Sequence, residues 1–486
     1  MPGTFFGFNT ALRGMQAQQR GIYTTSHNIA NANTEGYTRQ QVVLTATPAY
    51  PVPAMNRPGG QGWQIGTGVD SQETRRLRDE FLDTQIRRET GSLGQWQQIQ
   101  DVLQQVEVVF NEPSDTGLST LMSQFWAAWQ ELSKNAESSP VRTTVVETAN
   151  ALAEAFRHSA AQLNQIQDDI DQSIELKVKE VNSLAQQIAD LNGQIKNIVA
   201  AGYQPNDLMD QRDLLLDRLS KIIDFSVEKN MVTVNDEEIA DGQIKIKLGN
   251  QYLVNVDGTD GSIVNIVAAG TDDANKGKIF WEDSGDEIVP ANGEIKGLQK
   301  AREDVQTYLT NLNTLAGELA AAINEQHILG KDLTGAGGEE FFVIGDNSDT
   351  ITAVNIQVNS RIMDDVSKIA AAAKDGGPGD GSNALAIAQL QHKLIENLDN
   401  TTFDDYYKNF TAKLGVDAHE ATRMTTNQGV LVDQLTNRKE SISGVSLDEE
   451  MANMLQYLRA YEASARMITT LDSMLDKIIN GMGVTR

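Results

Sequence analysis

Cysteine is absent from the chain, which excludes disulfides, thiolate chemistry and cysteine-ligated metal. Histidine is scarce. The five residues, His27, His158, His327, His392 and His419, are scattered, and none has another within a helical turn, so local spacing offers no histidine-based metal site. Positive charge is in deficit: 40 Lys and Arg face 67 Asp and Glu, a formal net charge of −27. Such a balance argues against nucleic-acid backbone or anionic lipid as a partner. No apolar run approaches the roughly eighteen residues of a membrane span. The N-terminus also lacks the basic segment and continuous apolar core of a cleavable secretory signal. No Gly-x-Ser-x-Gly elbow is present, and the glycine cluster at 335–338 is not followed by the Lys-Ser/Thr of a phosphate loop. The acidic stretches 257–260 and 346–349 do not continue with the ligand spacing of a calcium loop. With 67 acids, a carboxylate pair of the glycosidase type stays open, but no local pattern points to one. The expectation is no enzyme, no cofactor, no nucleic acid and no membrane insertion.

What is present begins at the C-terminus. Ser446 followed by Glu449 reads as a capping box, each side chain satisfying an amide of the first turn. Apolar residues then step by four and three through Leu447, Met451, Met454, Leu458, Tyr461, Ala465 and Ile468. The step meets Asp472 and resumes at Leu475, Ile479 and Met482, with no Pro or Gly before Gly481. The pattern predicts one helix over 446–482, about 55 Å long at 1.5 Å per residue. Its apolar seam lies on one face, so it needs a partner helix.

The other end of the chain is the expected partner. Phe5, Phe8, Leu12, Met15, Ile22 and Ile29 follow the same step, and Gly7, Gly14 and Gly21 run beside them at intervals of seven. Each glycine inside a helix costs about 0.8–1 kcal/mol against Ala, a cost that makes sense where another backbone must approach closely. Only Arg13 and Arg20 are charged between Met1 and Thr34, whereas an ordinary surface helix shows a charged outer face. Two readings follow: a core helix of one domain, or a helix buried between copies of the protein.

Between the ends the pattern is mostly helical. His27 has no other His or acid cluster nearby in sequence and reads as a polar helix contact. Loop formers follow at 48–60. Helix is expected over 75–112, then a turn at 112–115, then a short helix over 120–132. The Phe125, Trp126 and Trp129 of that helix, at helical spacing, read as core rather than as a sugar-stacking surface. A long helix over 141–201 carries Ile170, Ile174, Val181, Leu184, Ile188, Leu191, Ile195 and Ile198, with Lys177 alone out of place. In the next helix, over 208–223, Asp207, Asp210, Asp213 and Asp217 interleave with Arg212, Arg218 and Lys221. Asp217 and Lys221 form a favourable i,i+4 pair, and a salt-bridged solvated face is expected there rather than a metal site. From Phe225 to Trp281 short alternating runs separated by Gly249-Asn250, Asp257-Gly258 and Gly270 read as a small antiparallel β domain. Helix returns over 295–326, 383–397 and 403–439, with a strand over 351–358.

The fold expected is mainly α with a β insertion, built as nested discontinuous domains. Residues 1–70 and 440–486 make a terminal coiled-coil assembly domain. A long-helix middle domain takes 71–224, 295–345 and 383–439, and an outer β domain takes 225–294, with 346–382 a candidate addition.

The segment 9–40, NTALRGMQAQQRGIYTTSHNIANANTEGYTRQ, resembles the N-terminal signature shared by flagellar rod, hook and hook-associated proteins. The tail SLDEEMANMLQYLRAYEASARMITTLDSMLDKIIN is similar to the corresponding C-terminal signature. Two internal stretches, FNEPSDTGLSTLMSQFWAAWQELS (110–133) and PNDLMDQRDLLLDRLSK (205–221), resemble the hook-associated protein 1 family in particular. That resemblance implies a structural protein at the hook–filament junction, without enzymatic activity, exported unfolded by the flagellar type III apparatus. It implies terminal helices packed as an antiparallel coiled coil and a β insertion facing outward. The partners implied are further copies in the flagellar axis, the hook protein, a second hook–filament junction protein and an export chaperone in the cytoplasm. A hook or distal rod protein shares the terminal signatures and is the alternative, and a secreted adhesin or effector is the alternative of another class.

Overall fold

Helices dominate the computed structural model, which describes residues 5–50, 64–110, 117–234, 237–257, 261–272, 274–346 and 349–481. The loop formers at 51–60, the turns at 112–115 and 258–260, positions 347–348 of the second acidic stretch, and Met482 lie outside the described residues. In chain order the helices are α1 (Phe6–Ala30), α2 (Glu80–Phe110), α3 (Leu118–Lys134), α4 (Ser139–Ala200), α5 (Asn206–Ile222) and α6 (Glu294–Ile328). Short α7 (Ser360–Asp364) and α8 (Ser382–Gln389) precede α9 (Phe403–Ser443) and α10 (Leu447–Gly481). The strands form small antiparallel sheets. β1 (Gln40–Ala46) pairs with β2 (Val69–Arg76). β3 (Ser226–Val234), β4 (Glu237–Leu248), β5 (Gln251–Asp257) and β6 (Gly261–Val264) make a four-stranded meander. β7 (Val267–Ala269), β8 (Ile279–Trp281) and β9 (Glu287–Ile288) make a second sheet, and β10 (Phe342–Ile344) pairs with β11 (Ile356–Val358).

The chain divides into two units. The first comprises Met1–Thr90, Val181–Ile266 and Val430–Arg486. Here α1 lies along α10, and the β1–β2 ribbon packs on α1. β2 replaces the first residues of the helix expected over 75–112. Its sequence, VDSQETRR, is too polar to announce a strand, and Asp79 then caps α2 by accepting the amides of Phe81 (3.0 Å) and Leu82 (3.2 Å). The β4–β5 hairpin closes through Gly249-Asn250, as the spacing predicts. Leu248 pairs with Gln251, and Gly249 supplies the positive φ (61°) of a two-residue turn. The β-rich stretch forms two sheets rather than one. After β6 the Asn265 side chain donates to the Tyr252 carbonyl at 2.6 Å, and its amide to Leu253, so it ends the ladder before β7 begins.

The second unit comprises Gly91–Glu180 and Val267–Gly429. Its core follows the periodicities. Leu298, Val305, Leu309, Leu312, Leu315, Leu319 and Ile323 of α6 are buried, as are Ile170 and Ile174 of α4. Lys177, the misfit in that heptad, forms an ion pair with Glu294 at 2.8 Å and donates to Glu180 at 3.1 Å, and this explains its place in an apolar row. The aromatic residues of α3 are core. Phe125, Trp126 and Trp129 are buried among Phe341, Phe342 and Phe403, with rings 5.1–6.3 Å apart, several of them edge to face. His327 is also buried there. It accepts the Ala370 amide on Nε2 at 2.9 Å and uses Nδ1 against the Glu339 carbonyl, so the neutral tautomer with hydrogen on Nδ1 is fixed. Burial pulls its pKa down to about 4.

Candidate assembly site at the paired termini

α1 and α10 run antiparallel, and their register is a heptad on both sides. A Cβ at Gly7 would lie 3.5 Å from Leu471, one at Gly14 3.3 Å from the Ser464 hydroxyl, and one at Gly21 3.0 Å from the Tyr457 ring. The next position in the file is Asn28, which donates to Glu450 at 2.9 Å. Each step of seven along α1 is thus matched by a step of seven back along α10. The glycines bring α10 close within one chain, and the flat face of Tyr457 occupies the space a side chain at position 21 would need.

Of the residues expected on the seam, Phe8, Leu12, Met15, Ile22 and Ile29 of α1 are half-buried, as are Met454, Tyr461, Ile468 and Leu475 of α10. Phe5 is 63% exposed, and Leu447, Met451 and Leu458 remain 41–50% exposed, outside the intramolecular seam. The buried positions of α1 are Ala17, Gly21, Thr25 and Asn28. The pair therefore meets on the glycine file, with the half-buried apolar residues of both helices beside it. The expected capping box is half made. The Glu449 amide reaches the Ser446 hydroxyl at 3.5 Å, but the Glu449 carboxylate turns to Arg39 at 2.8 Å.

Asn28 is the anchor of this pair. Its Oδ1 accepts from the Tyr37 hydroxyl (2.7 Å) and the Gln40 amide (3.0 Å), and its Nδ2 donates to the Gln40 carbonyl (2.9 Å) and to Glu450. Every hydrogen-bonding position of the amide is filled, which fixes its orientation. Glu450 is buried at the start of α10 and accepts Arg39 Nε at 2.8 Å on its other oxygen. Because Tyr37 donates to Asn28, it accepts from His27 Nδ1 at 3.0 Å, while His27 Nε2 faces Asp207 at 3.5 Å. Burial, with Asp207, Asp210 and Glu450 nearby, pushes the Tyr37 hydroxyl well above its ordinary pKa and keeps it protonated as a donor. Gly36 at φ 78° lets the loop turn against Leu214 of α5. In the sequence Gly7, Gly14 and Gly21 read as helix packing, whereas Asn28 stood out only as part of the N-terminal signature. The signal was available: Asn28 continues the spacing of seven.

The helix beneath corrects the expectation of a solvated face on α5. Asp210 and Arg212 are buried, and the partners come from elsewhere in the chain. Arg76 donates to Asp210 (2.8 Å) and Asp213 (2.7 Å), Arg78 pairs with Asp213 (2.9 Å) and Asp83, and Arg87 pairs with Asp217 at 2.6 Å. Asp217 also takes Lys439 at 3.2 Å. Burial lifts the Asp210 carboxyl above its usual range despite Arg76 and the Thr38 amide. At Asp213 burial acts the same way, but Arg78, Arg76 and Arg87 together outweigh it and hold that carboxyl below the usual range. Asp210 takes the Thr38 amide (3.0 Å), Asp207 takes the Gln40 side chain (2.8 Å), and Asn206 donates to the Thr74 carbonyl (2.8 Å). α5 thus grips β1 and β2, and β1 grips Asn28. Chemically the arrangement holds backbone in place: its acids accept from amides and guanidiniums. Among the described residues no group of three or more His, Cys, Asp or Glu is placed to hold a metal ion.

Comparison with known proteins follows the same three regions. Residues 103–342 match the family model described as the flagellar hook-associated protein FlgK helical domain. Residues 8–38 match that of the flagella basal body rod protein, and 440–481 that of the flagellar basal body rod FlgEFG protein C-terminal. Flagellar hook-associated protein 1 of Bacillus subtilis is 36% identical over 513 aligned positions, covering 100% of this chain and 99% of that protein. The Escherichia coli protein of the same name is 26% identical, covering 97% and 99%. The structure of the flagellar hook junction protein FlgK from Burkholderia pseudomallei shares the fold, with a TM-score of 0.57 at 16% identity over 74% of this chain and 100% of that one.

Proposed function

The chain belongs to the flagellar hook-associated protein 1 family, and on that premise we propose how it serves the flagellum: as a passive, self-associating link whose paired termini are the packing element. It is a structural protein of the bacterial flagellum, exported and placed at the hook–filament junction. In this proposal no catalytic step takes place. The α1/α10 pairs of successive copies pack side by side along the axis. The hook protein lies at one boundary and a second hook–filament junction protein at the other, and an export chaperone holds the chain in the cytoplasm. Residues 1–70 and 440–486 form the assembly domain.

One observation carries this. The intramolecular pair leaves a further apolar row of α10 uncovered, in which Leu447, Met451, Leu455 and Leu458 are 41–59% exposed. A helix already paired on one side that still shows such a row is built to be covered again. Gly7, Gly14, Gly21, Met454, Tyr461, Ile468 and Leu475 hold the pair, while Phe5, Leu447, Met451 and Leu458 face the neighbouring copy. The test is genetic and visual. Cells lacking the gene are expected to build hooks and release filament subunits into the medium without attached filaments. Normal filaments on those hooks would refute the proposal.

A further inference from the structure

A cavity of about 420 Å³ opens within the first unit, between the start of α2, α5 and the β3–β4 hairpin. Arg76, Arg78, Arg87, Arg212, Lys229 and Gln243 are among the residues lining it. In a chain of net charge −27 this cationic wall stands out, and most of it is matched. Arg76, Arg78 and Arg87 hold Asp83, Asp210, Asp213 and Asp217, and Lys229 meets Glu80 at 2.7 Å near the surface. Arg212 is the exception. It is only 6% exposed, and its Nη1 donates to two neutral acceptors, Asn192 Oδ1 (2.9 Å) and the Gly242 carbonyl (2.6 Å). No carboxylate pairs with it among the described residues, and its Nε has no hydrogen-bond partner there. Asp213, the acid whose charge acts on it, is held by Arg76 and Arg78.

The same wall holds further unpaired atoms. Arg78 Nη2 has no partner, and neither the nitrogen nor the oxygen of the Gln243 amide has one, although that residue is 1% exposed. A buried guanidinium hydrogen-bonded only to neutral acceptors, beside a buried amide with nothing to bond, is an unfavourable arrangement unless a ligand completes it. The unmet groups are three donors, two of them on cations, and one acceptor. A matching ligand is small, negatively charged and rich in acceptor oxygens, and it carries one hydroxyl.

We propose that this cavity binds the hydrogenphosphate dianion. Its oxygens accept from Arg212, Arg78 and the Gln243 amide nitrogen, its P–OH donates to the Gln243 carbonyl, and its charge supplies the counter-ion Arg212 lacks. The unpaired atoms are closed to bulk water, so binding includes a shift of their side chains toward the cavity. Lys229, at the exposed rim, contributes long-range attraction.

The test is calorimetric titration and phosphorus NMR on the full chain at pH 8, with sodium phosphate and sodium sulfate at matched ionic strength. One saturable phosphate site is expected. Sulfate, with no proton to offer the Gln243 carbonyl, should bind at least about tenfold more weakly. Arg212→Met should abolish the site. Should that variant fail to fold, Lys229→Gln alters the exposed rim, removing one positive charge and releasing Glu80, and should weaken phosphate several-fold in an intact protein. Absence of saturable binding means that the cavity holds water only and overturns the proposal. Equal binding of phosphate and sulfate, unchanged in Lys229→Gln, means an adventitious ion only and overturns it as well.

Discussion

Replacing Gly14 and Gly21 singly by alanine should change the α1/α10 pair in opposite directions. Both lie inside α1, where Gly→Ala adds about 0.8–1 kcal/mol of helix propensity. They differ in what the new methyl meets. At position 14 it meets only the Ser464 hydroxyl at 3.3 Å, the end of a short side chain that can rotate away from its bond to Ala460. At position 21 it meets three atoms of the Tyr457 ring, each at 3.0 Å. A ring cannot yield one atom at a time, so it moves as a body or α10 moves with it. Overpacking of that kind typically costs about 1–3 kcal/mol. Gly14→Ala should therefore stabilise the pair by about 0.5–1 kcal/mol, and Gly21→Ala should destabilise it by about 1 kcal/mol after the propensity gain is deducted. Native-state hydrogen exchange of the amides in the middle of α1 reads this directly. Exchange should slow several-fold in the first variant and quicken by about fivefold in the second, since 1.4 kcal/mol is a factor of ten. Adding Tyr457→Ala to Gly21→Ala should remove the clash. If both single variants slow exchange equally, the glycine file is not set by contact with α10, and the reasoning fails.

Two further expectations concern groups whose neighbours are all named. Asn28→Asp puts a carboxylate against buried Glu450 and removes both donors, so the pair should loosen by about 3 kcal/mol. Limited proteolysis within α1 should report the loss, and adding Glu450→Gln should restore protection. His327 gives a pH dependence. Its folded pKa of about 4 lies below the ordinary value of 6.5, so the native state binds fewer protons than the unfolded chain between them. Its contribution is therefore full above about pH 6.5, falls as the pH drops, and is gone below about pH 4, a loss of about 3 kcal/mol. Urea unfolding followed by tryptophan fluorescence at pH 7.5 and 4.5 should show it. His327→Gln, which can keep one donor and one acceptor, should flatten the acid limb.

Local periodicity carried most of the fold. α10 was legible over 446–482 and forms over Leu447–Gly481, and the apolar rows of α4 and α6 are buried where their spacing puts them, except that Leu191 and Ile198 near the end of α4 are half-buried. What sequence could not supply was the identity of partners far along the chain. The acids of α5 interleave with nearby bases, and an i,i+4 reading of Asp217 and Lys221 is sound as local physics. The arginines that bind them stand about 130 residues earlier, on a strand too polar to be recognised and on the helix after it. The same limit applies to Glu449. Its spacing from Ser446 fits a capping box, but Arg39 offers a charged donor and takes the carboxylate.

The paired termini depend on contacts outside the two helices. α1 holds glycine at three positions and few charges, so as a lone helix it is marginal in water. Its partner begins more than 400 residues away. Yet the cost of closing so long a loop grows only as the logarithm of its length, about 0.6 kcal/mol per doubling. A small number of well-placed contacts can offset it, provided their geometry is set beforehand. β1 and α5 do the setting. Gln40 presents its amide and carbonyl to Asn28 while its own side chain is held by Asp207 and Asn206, and Thr38 is held by Asp210. Asn28 then offers its remaining hydrogen to Glu450, which accepts from Arg39 on its other oxygen. α10 is thus received at its first turn by Asn28, whose other hydrogen bonds go to Tyr37 and Gln40, and the heptad register follows outward from there, Tyr457 onto Gly21 and Ser464 onto Gly14. A helix that is weak alone and received at one end can pair late, which suits a surface meant to be completed by other copies of the chain.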